Sequence, residues 1–187
     1  MTDLVTRNIV NGIDLDALNG VVGDIRQDPS KALVRFAVST RWLGQTRSRT
    51  TVRGFELAGE PIARDFVIAA DEPEELLGTN AAPNPQELLM AAVNACMTVG
   101  YVAGAALNGI TLEKLEIETT GQLDLRGFLG LDDAVPPGYE GIDYTVRIAG
   151  NGTPEQFEEI HRGVMRISPN YFNLACPIRM NGTLQIG

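Results

Sequence analysis

The chain has 187 residues, 44% hydrophobic and 21% charged, ordinary values for a globular domain long enough to bury a core. Its 24 acids outnumber its 15 bases, giving a net charge of -9, a surface that repels nucleic acid and anionic membranes. It has two cysteines, Cys96 and Cys176, and one histidine, His161, and lacks zinc-site, dinucleotide-binding and P-loop motifs, so metal, Cys-His and nucleotide chemistry have no sequence support.

The opening "MTDLVTRNIVNGIDLD" has no apolar stretch of a secretory leader, which points to the cytoplasm, where paired thiols are redox-active or buried rather than permanently bridged. From Asp14 to Arg26, Leu15, Leu18, Val22 and Ile25 fall on one helical face, and Pro29 follows, which predicts a helix. Val34, Phe36 and Val38 then alternate with Arg35, Ala37 and Ser39, the period of a half-buried strand. "LGQT" is a turn, after which Arg47, Arg49, Thr51 and Arg53 share one face of a second strand. The pattern is an antiparallel hairpin with a basic face. "ARDFVIAADEPEELLG" is a strand followed by an acidic loop.

A long helix is predicted from Asn84 to Leu107. Asn84 is its N-cap, Pro85 its first residue and Glu87 the third, and "NGI" ends it; the start has the form of a capping box. "LEKLEIETTGQL" and "IDYTVRIAG" are strands joined by a loop over 126–141 that is rich in Phe128, Leu129, Leu131 and Tyr139. Loops of that length are often functional. A third helix starts at the Thr153 cap, with Pro154 first and Gln156 third. Phe157, Ile160, Val164 and Ile167 form its apolar stripe, and Ser168-Pro169 stops it. "NYFNLACP" leads to a final strand near Met180 to Ile186. Helices do not alternate with single strands, so the fold class is α+β with a mainly antiparallel sheet.

Leu88 to Leu107 carries no charge at all. A membrane span needs about 20 apolar residues. This run is rich in alanine, contains Asn94, Thr98, Gly100 and Gly104, and has no basic flank, which favours a buried helix. At 1.5 Å per residue it is roughly 36 Å long, more than one subunit of this size easily encloses, so a second subunit is expected to cover part of it. Cys96 within it is either a small buried hydrophobe or a reactive thiol. Reaction requires the thiolate, and in apolar surroundings a cation or donor must support it. The hairpin arginines are candidates; their other reading is a solvated strand face.

"GTNAAPNPQELLMAAVNACM", "IHRGVMRISPNYFNL" and "RWLGQTRSRT" together resemble the OsmC/Ohr-like family of osmotically inducible proteins and organic hydroperoxide reductases, over most of the chain from Arg35 onward. The resemblance implies an OsmC-like fold, with antiparallel sheets wrapped around long central helices in an intertwined homodimer. Residues 1–30 are then an amino-terminal helical extension, and 31–187 a single OsmC-like domain. It implies a thiol-dependent peroxidase acting in oxidative-stress defence. Cys96 would attack an organic hydroperoxide and become a sulfenic acid, a second thiol would condense with it, and an external dithiol of lipoyl type would reduce the product, with no bound cofactor. Sulfenic acid followed by disulfide is general thiol chemistry.

Carried over by position, Arg47 is the first choice to activate the thiol and Arg49 the second. Gln86 stands where the family's catalytic Glu stands, ten residues before Cys96, and Glu87 lies beside it. Ser168-Pro169 occupies the helix end where the family often has a resolving Cys-Pro, and Cys176-Pro177 carries that dipeptide downstream. Two readings of Cys176 stay open, resolving and structural. So does a second reading of the chain: a non-catalytic dimer that binds a hydrophobic small molecule at the subunit interface.

Overall fold

The computed structural model describes residues 8–187; residues 1–7 of the predicted 1–30 extension lie outside them. The chain divides into two compact units, Met1–Ala91 and Ala92–Gly187. Its make-up is α+β with antiparallel pairing throughout the described strands.

In the first unit, β1 (Ile9–Val10) and β2 (Ile13–Asp14) form a small hairpin. Asp14 then caps α1 (Leu15–Gln27) by accepting the N–H groups of Asp16 and Ala17, which satisfies donors that a helix start leaves open. None of the residues of α1 is buried. Its predicted apolar face has nothing packed on it closely enough to exclude water.

The first strand of the predicted basic hairpin is interrupted. It forms β3 (Val34–Phe36) and β4 (Ser39–Trp42), which share one flank of the long β5 (Ser48–Leu57). Strand β6 (Glu60–Ala70) lines the other flank. The break and the β5–β6 register shift between Val52 and Gly54 occur at the same level. There Arg64 and Asp65 of β6 stand opposite the single Arg53 of β5, and a bulge of this kind bends a strand and disrupts its ladders.

Above the bulge the register separates the two sheet faces. Trp42, Val52, Phe66 and Ile68 lie on one; Arg41, Arg49, Thr51 and Val67 lie on the other. Trp42 is 73% exposed and Phe66 54%. Indeed, no apolar residue of 8–91 is buried in the single chain. A sheet normally covers one apolar face, and this one is uncovered.

A short 3-10 turn, Glu74–Leu76, precedes α2 (Pro85–Leu107). Both predicted ends of α2 hold. Asn84 Oδ1 accepts the Gln86 N–H at 2.7 Å, and the Glu87 carboxylate accepts the Asn84 N–H at 2.8 Å. At the other end, Ile110 N–H donates to the Ala105 carbonyl and Gly109 N–H to that of Ala106, with Gly109 at φ +68°. This is a Schellman closure, which favours glycine at the left-handed position.

The second unit contains the core. Val93, Met97, Tyr101 and Ala105 form a buried stripe at four-residue spacing on α2, one helical face. Against it packs α4 (Pro154–Ile167) through Ile160 and Val164. A Cβ at Gly100 would lie 3.1 Å from Val164 Cγ2, and one at Gly104 would lie 3.1 Å from Ile160 Cγ2; hydrogen in place of a methyl lets the side chains of α4 seat that closely. Strands β7 (Leu112–Gly121) and β8 (Ile142–Gly150) add Leu115, Ile117, Tyr144, Val146 and Ile148. The helix α2 is therefore buried along one stripe rather than on all sides; Val99 is 69% exposed. By length and composition it is the one helix among the described residues apolar enough to cross a membrane. Its stripe lies in a protein core, as a buried helix requires.

Three other expectations change. The 126–141 loop begins within a short helix, α3 (Leu125–Phe128), capped by Asp124. "NYFNLACP" forms α5 (Pro169–Ala175), because Ser168 ends α4 and caps a new helix. The strand expected at Met180–Ile186 is absent: residues 177–187 have no regular structure. Its alternating apolar residues are exposed, and a strand without a ladder partner leaves its backbone groups to water.

Candidate active site

Cys96 lies one residue before Met97 on α2 and is half-buried. Its sulfur accepts a hydrogen bond from Ser168 Oγ at 3.4 Å. Ser168 is 4% exposed, and three local features hold it there. Its N–H closes α4 by donating to the Val164 carbonyl. Its Oγ accepts the Tyr171 N–H that begins α5. Asn170, next along, donates from Nδ2 to the Ala92 carbonyl of α2 at 2.8 Å. The junction of two helices thus places one hydroxyl on the thiol.

The residue two before Cys96 is also fixed. Asn94 Nδ2 donates to the Ile117 carbonyl of β7, and Asn94 Oδ1 accepts from Thr119 Oγ1 at 2.6 Å. Cys176 is a free, half-buried thiol at the far end of α5, where its N–H donates to the Phe172 carbonyl. The seven residues of α5 separate Ser168 from Cys176, eight rises of 1.5 Å and so roughly 12 Å. Cys96 is at the Ser168 end.

The remaining candidates belong to the first unit. Arg47 follows the turn that "LGQT" predicts, closed by Arg47 N–H to Gly44 O at 3.1 Å. Among the described residues its guanidinium reaches only the Leu43 carbonyl, at 3.5 Å. Arg49 stands directly opposite Arg41 across the ladder, a like-charge pairing that sheets disfavour. None of these three has a carboxylate in ion-pair range among the described residues, whereas Arg35 pairs with Glu56 and Arg53 with Asp65. The Glu87 carboxylate is engaged by the cap of α2. The Gln86 side chain is exposed.

One residue has no counterpart among the sequence candidates. Asp71, within the predicted acidic loop, is 1% exposed. Its Oδ1 accepts from Thr46 Oγ1 at 2.6 Å and Glu72 N at 2.9 Å; its Oδ2 accepts from Thr79 Oγ1 at 2.6 Å, Thr79 N at 3.1 Å and Ala81 N at 3.1 Å. Hydrogen bonds from Thr46 and Thr79 hold its carboxyl well below the usual carboxylate range. A folded value below the unfolded one, about 3.9, means stability that is present above that pH and lost as pH falls through the folded value. All five neighbours are donors, so the amide of an Asp71→Asn variant would face them with N–H. That variant is expected to melt lower than wild type at pH 7, with the gap narrowing below about pH 4, where unfolded aspartate takes up a proton. Thermal melts at pH 7 and pH 3 check this.

His161 has a structural partner. Tyr101 is almost fully buried, and burial, then Tyr144, holds its phenol above its ordinary value. The phenol stays protonated and shares a hydrogen bond with His161 Nδ1, in a direction that the imidazole tautomer sets. No cluster of three or more His, Cys, Asp or Glu suited to a metal occurs among the described residues. A cleft of about 800 Å³ beside the 126–141 loop is lined by Asp124, Arg126, Glu140 and Asp143 among others. Phe128, Leu129 and Leu131 of that loop are exposed instead.

The family model described as OsmC-like protein matches residues 78–181, more than half of the chain. The chain belongs to the OsmC-like family. The matched residues include Gln86, Cys96, Ser168 and Cys176; Arg47 and Arg49 precede them. No curated protein matches the chain. Among solved structures, an OsmC-like protein of Mycoplasma pneumoniae is 19% identical, with 75% of this chain and 87% of that one covered at a TM-score of 0.57. A Psychrobacter arcticus 273-4 protein, provisionally assigned to osmotic stress induction and detoxification response, is 14% identical, with 72% and 84% covered at 0.56. At these identities the likeness establishes the OsmC-like α+β fold alone. An OsmC-like hydroperoxide resistance protein of Jannaschia is 16% identical, with 82% and 93% covered, at a TM-score of 0.44, too low to carry an argument.

Proposed function

We propose that this OsmC-like protein is a thiol-dependent peroxidase that reduces organic hydroperoxides through Cys96, with no second cysteine at the reacting sulfur. The observation that carries this reading is the buried Ser168 hydroxyl 3.4 Å from Cys96 Sγ. A hydroxyl proton aimed at sulfur is the polar contact that an anionic nucleophile needs in apolar surroundings. The Cys96 thiolate attacks one peroxide oxygen, the O–O bond breaks, and the alkoxide leaves with a proton as the alcohol. Sulfur is oxidised by two electrons to a sulfenic acid.

A serine oxygen cannot resolve that acid as a disulfide. An external thiol of the dihydrolipoyl type attacks it, releasing water and forming a mixed disulfide, and its second thiol frees Cys96 as the thiol. Arg47 is the cation of choice beside the sulfur, because it has no acidic partner among the described residues and stands at the turn, where no arginine is paired opposite it as Arg41 is opposite Arg49. The working form is a homodimer. Support for this is the first-unit sheet, whose apolar side chains are all left unburied by a single chain.

The test is consumption of cumene hydroperoxide with dihydrolipoamide as reductant. Wild type is expected to turn over, and Cys96→Ser to fall to the uncatalysed rate. Equal rates for the two proteins would sink the peroxidase reading in favour of a non-catalytic dimer.

A further inference from the structure

We infer that Asp71 is a positioning residue for Arg47, bracing the turn that carries it against the chain that leads into α2. The inference rests on the peroxidase reading, in which Arg47 serves Cys96.

The turn is a strained place to hold a functional arginine. Gly44 and Gln45 both have positive φ, +102° and +50°, and a side chain at positive φ is unfavourable outside glycine. Among the described residues, the arginine's side chain is tethered only by the 3.5 Å contact to Leu43 O. Its neighbour Thr46 supplies the anchor, the 2.6 Å bond to Asp71.

Asp71 in turn is bound into the segment that ends at the α2 cap. Its own N–H donates to Pro83 O at 3.2 Å, and Asn80 N–H donates to Glu72 O at 3.1 Å. Asn84, the cap, donates from Nδ2 to the Glu72 carboxylate. The segment has little room to shift: a Cβ at Gly78 would lie 1.8 Å from Glu72 O. The Asp71 carboxylate therefore ties the Arg47 turn to the 72–83 segment, and Glu72 beside it carries the tie on to the cap of α2. Charged acceptors with several donors make the stronger class of hydrogen bond. Displacements of about 1 Å at a reacting group cost up to about a hundredfold in rate, so a brace of this kind is a rate device as well as a structural one.

Thr46→Val tests it with little risk to folding, because it removes only the bond from the turn and leaves Asp71 its other four donors. In the wild-type background it is expected to lower kcat/KM for cumene hydroperoxide by about tenfold to a hundredfold, and Asp71→Asn by at least as much. In an Arg47→Ala background neither change should lower it further, since residues acting through one group are not additive. An equal loss in both backgrounds, or no loss in the wild-type background, would overturn the inference. If wild type proves no faster than Cys96→Ser, the peroxidase reading fails on its own. The brace is then read from amide exchange: Thr46→Val should speed exchange at Leu43 and Arg47, the two turn amides, and unchanged exchange there would overturn it.

Discussion

Ser168→Cys is expected to change the product of one equivalent of cumene hydroperoxide from a sulfenic acid to a disulfide. In wild type, intact mass should rise by one oxygen, because the group facing the oxidised sulfur is a hydroxyl. In the variant, a thiol takes the place of that hydroxyl. It attacks the sulfenic sulfur, water leaves, and the mass falls by two hydrogens relative to the reduced protein. The present O–S separation of 3.4 Å exceeds the S–S bond of about 2.05 Å, but thiol is longer than hydroxyl, and the two side chains already point at each other. Excess peroxide should then drive wild type on to sulfinic acid, whereas the variant's disulfide resists. Gain of oxygen by both proteins would mean that position 168 is not where a resolving thiol reacts. Loss of two hydrogens by wild type would mean that Cys176 swings in from the far end of α5.

Met97→Ala is expected to destabilise the second unit by about 2–5 kcal/mol, the range for a large apolar side chain deleted from a core. Met97 is wholly buried between Val93 and Tyr101 on the α2 stripe, so the cavity cannot be filled from solvent. Total stability of a domain is about 5–15 kcal/mol, and the loss is a large part of it. Met97→Leu keeps most of the volume and should cost less than about 1.5 kcal/mol. Urea melts monitored by circular dichroism, with the unfolding slope held equal, separate the two. If alanine and leucine cost the same, Met97 does not fill the space that its burial implies.

What was legible in the sequence is what acts over three or four residues. The cap at Asn84, the Thr153–Gln156 capping box and the glycine closure after Leu107 all depend on neighbours that the string itself displays, and all are present. The strand periods of 112–121 and 142–150 were legible for the same reason. The Ser168–Cys96 contact joins residues 72 apart and the Thr46–Asp71 bond residues 25 apart, and nothing local announces either. A hint of the second existed: an aspartate ahead of "LGTNAA", a stretch rich in the donors that a carboxylate collects. At Met180–Ile186 the local pattern pointed to a strand, but pairing is a property of two segments, and only one was in view. Ser168-Pro169 was read correctly as a stop, though not as a start. A serine that ends one helix has the same backbone shape as one that begins the next.

The uncovered sheet of residues 34–70 also bears on the order in which the chain gives way. Its hydrogen-bond ladders enclose no buried apolar side chain, so in a lone chain little except strand pairing resists their opening. The 93–164 core has its own stripe, its own helix pairing and its own strand cover. Sub-global opening follows buried contact, so an isolated subunit would lose the arginine turn while the cysteine helix still stood folded. In the homodimer and peroxidase proposed above, dilution, or any agent that parts the subunits, would then disarm the protein by loosening its arginine first and leaving the thiol in place.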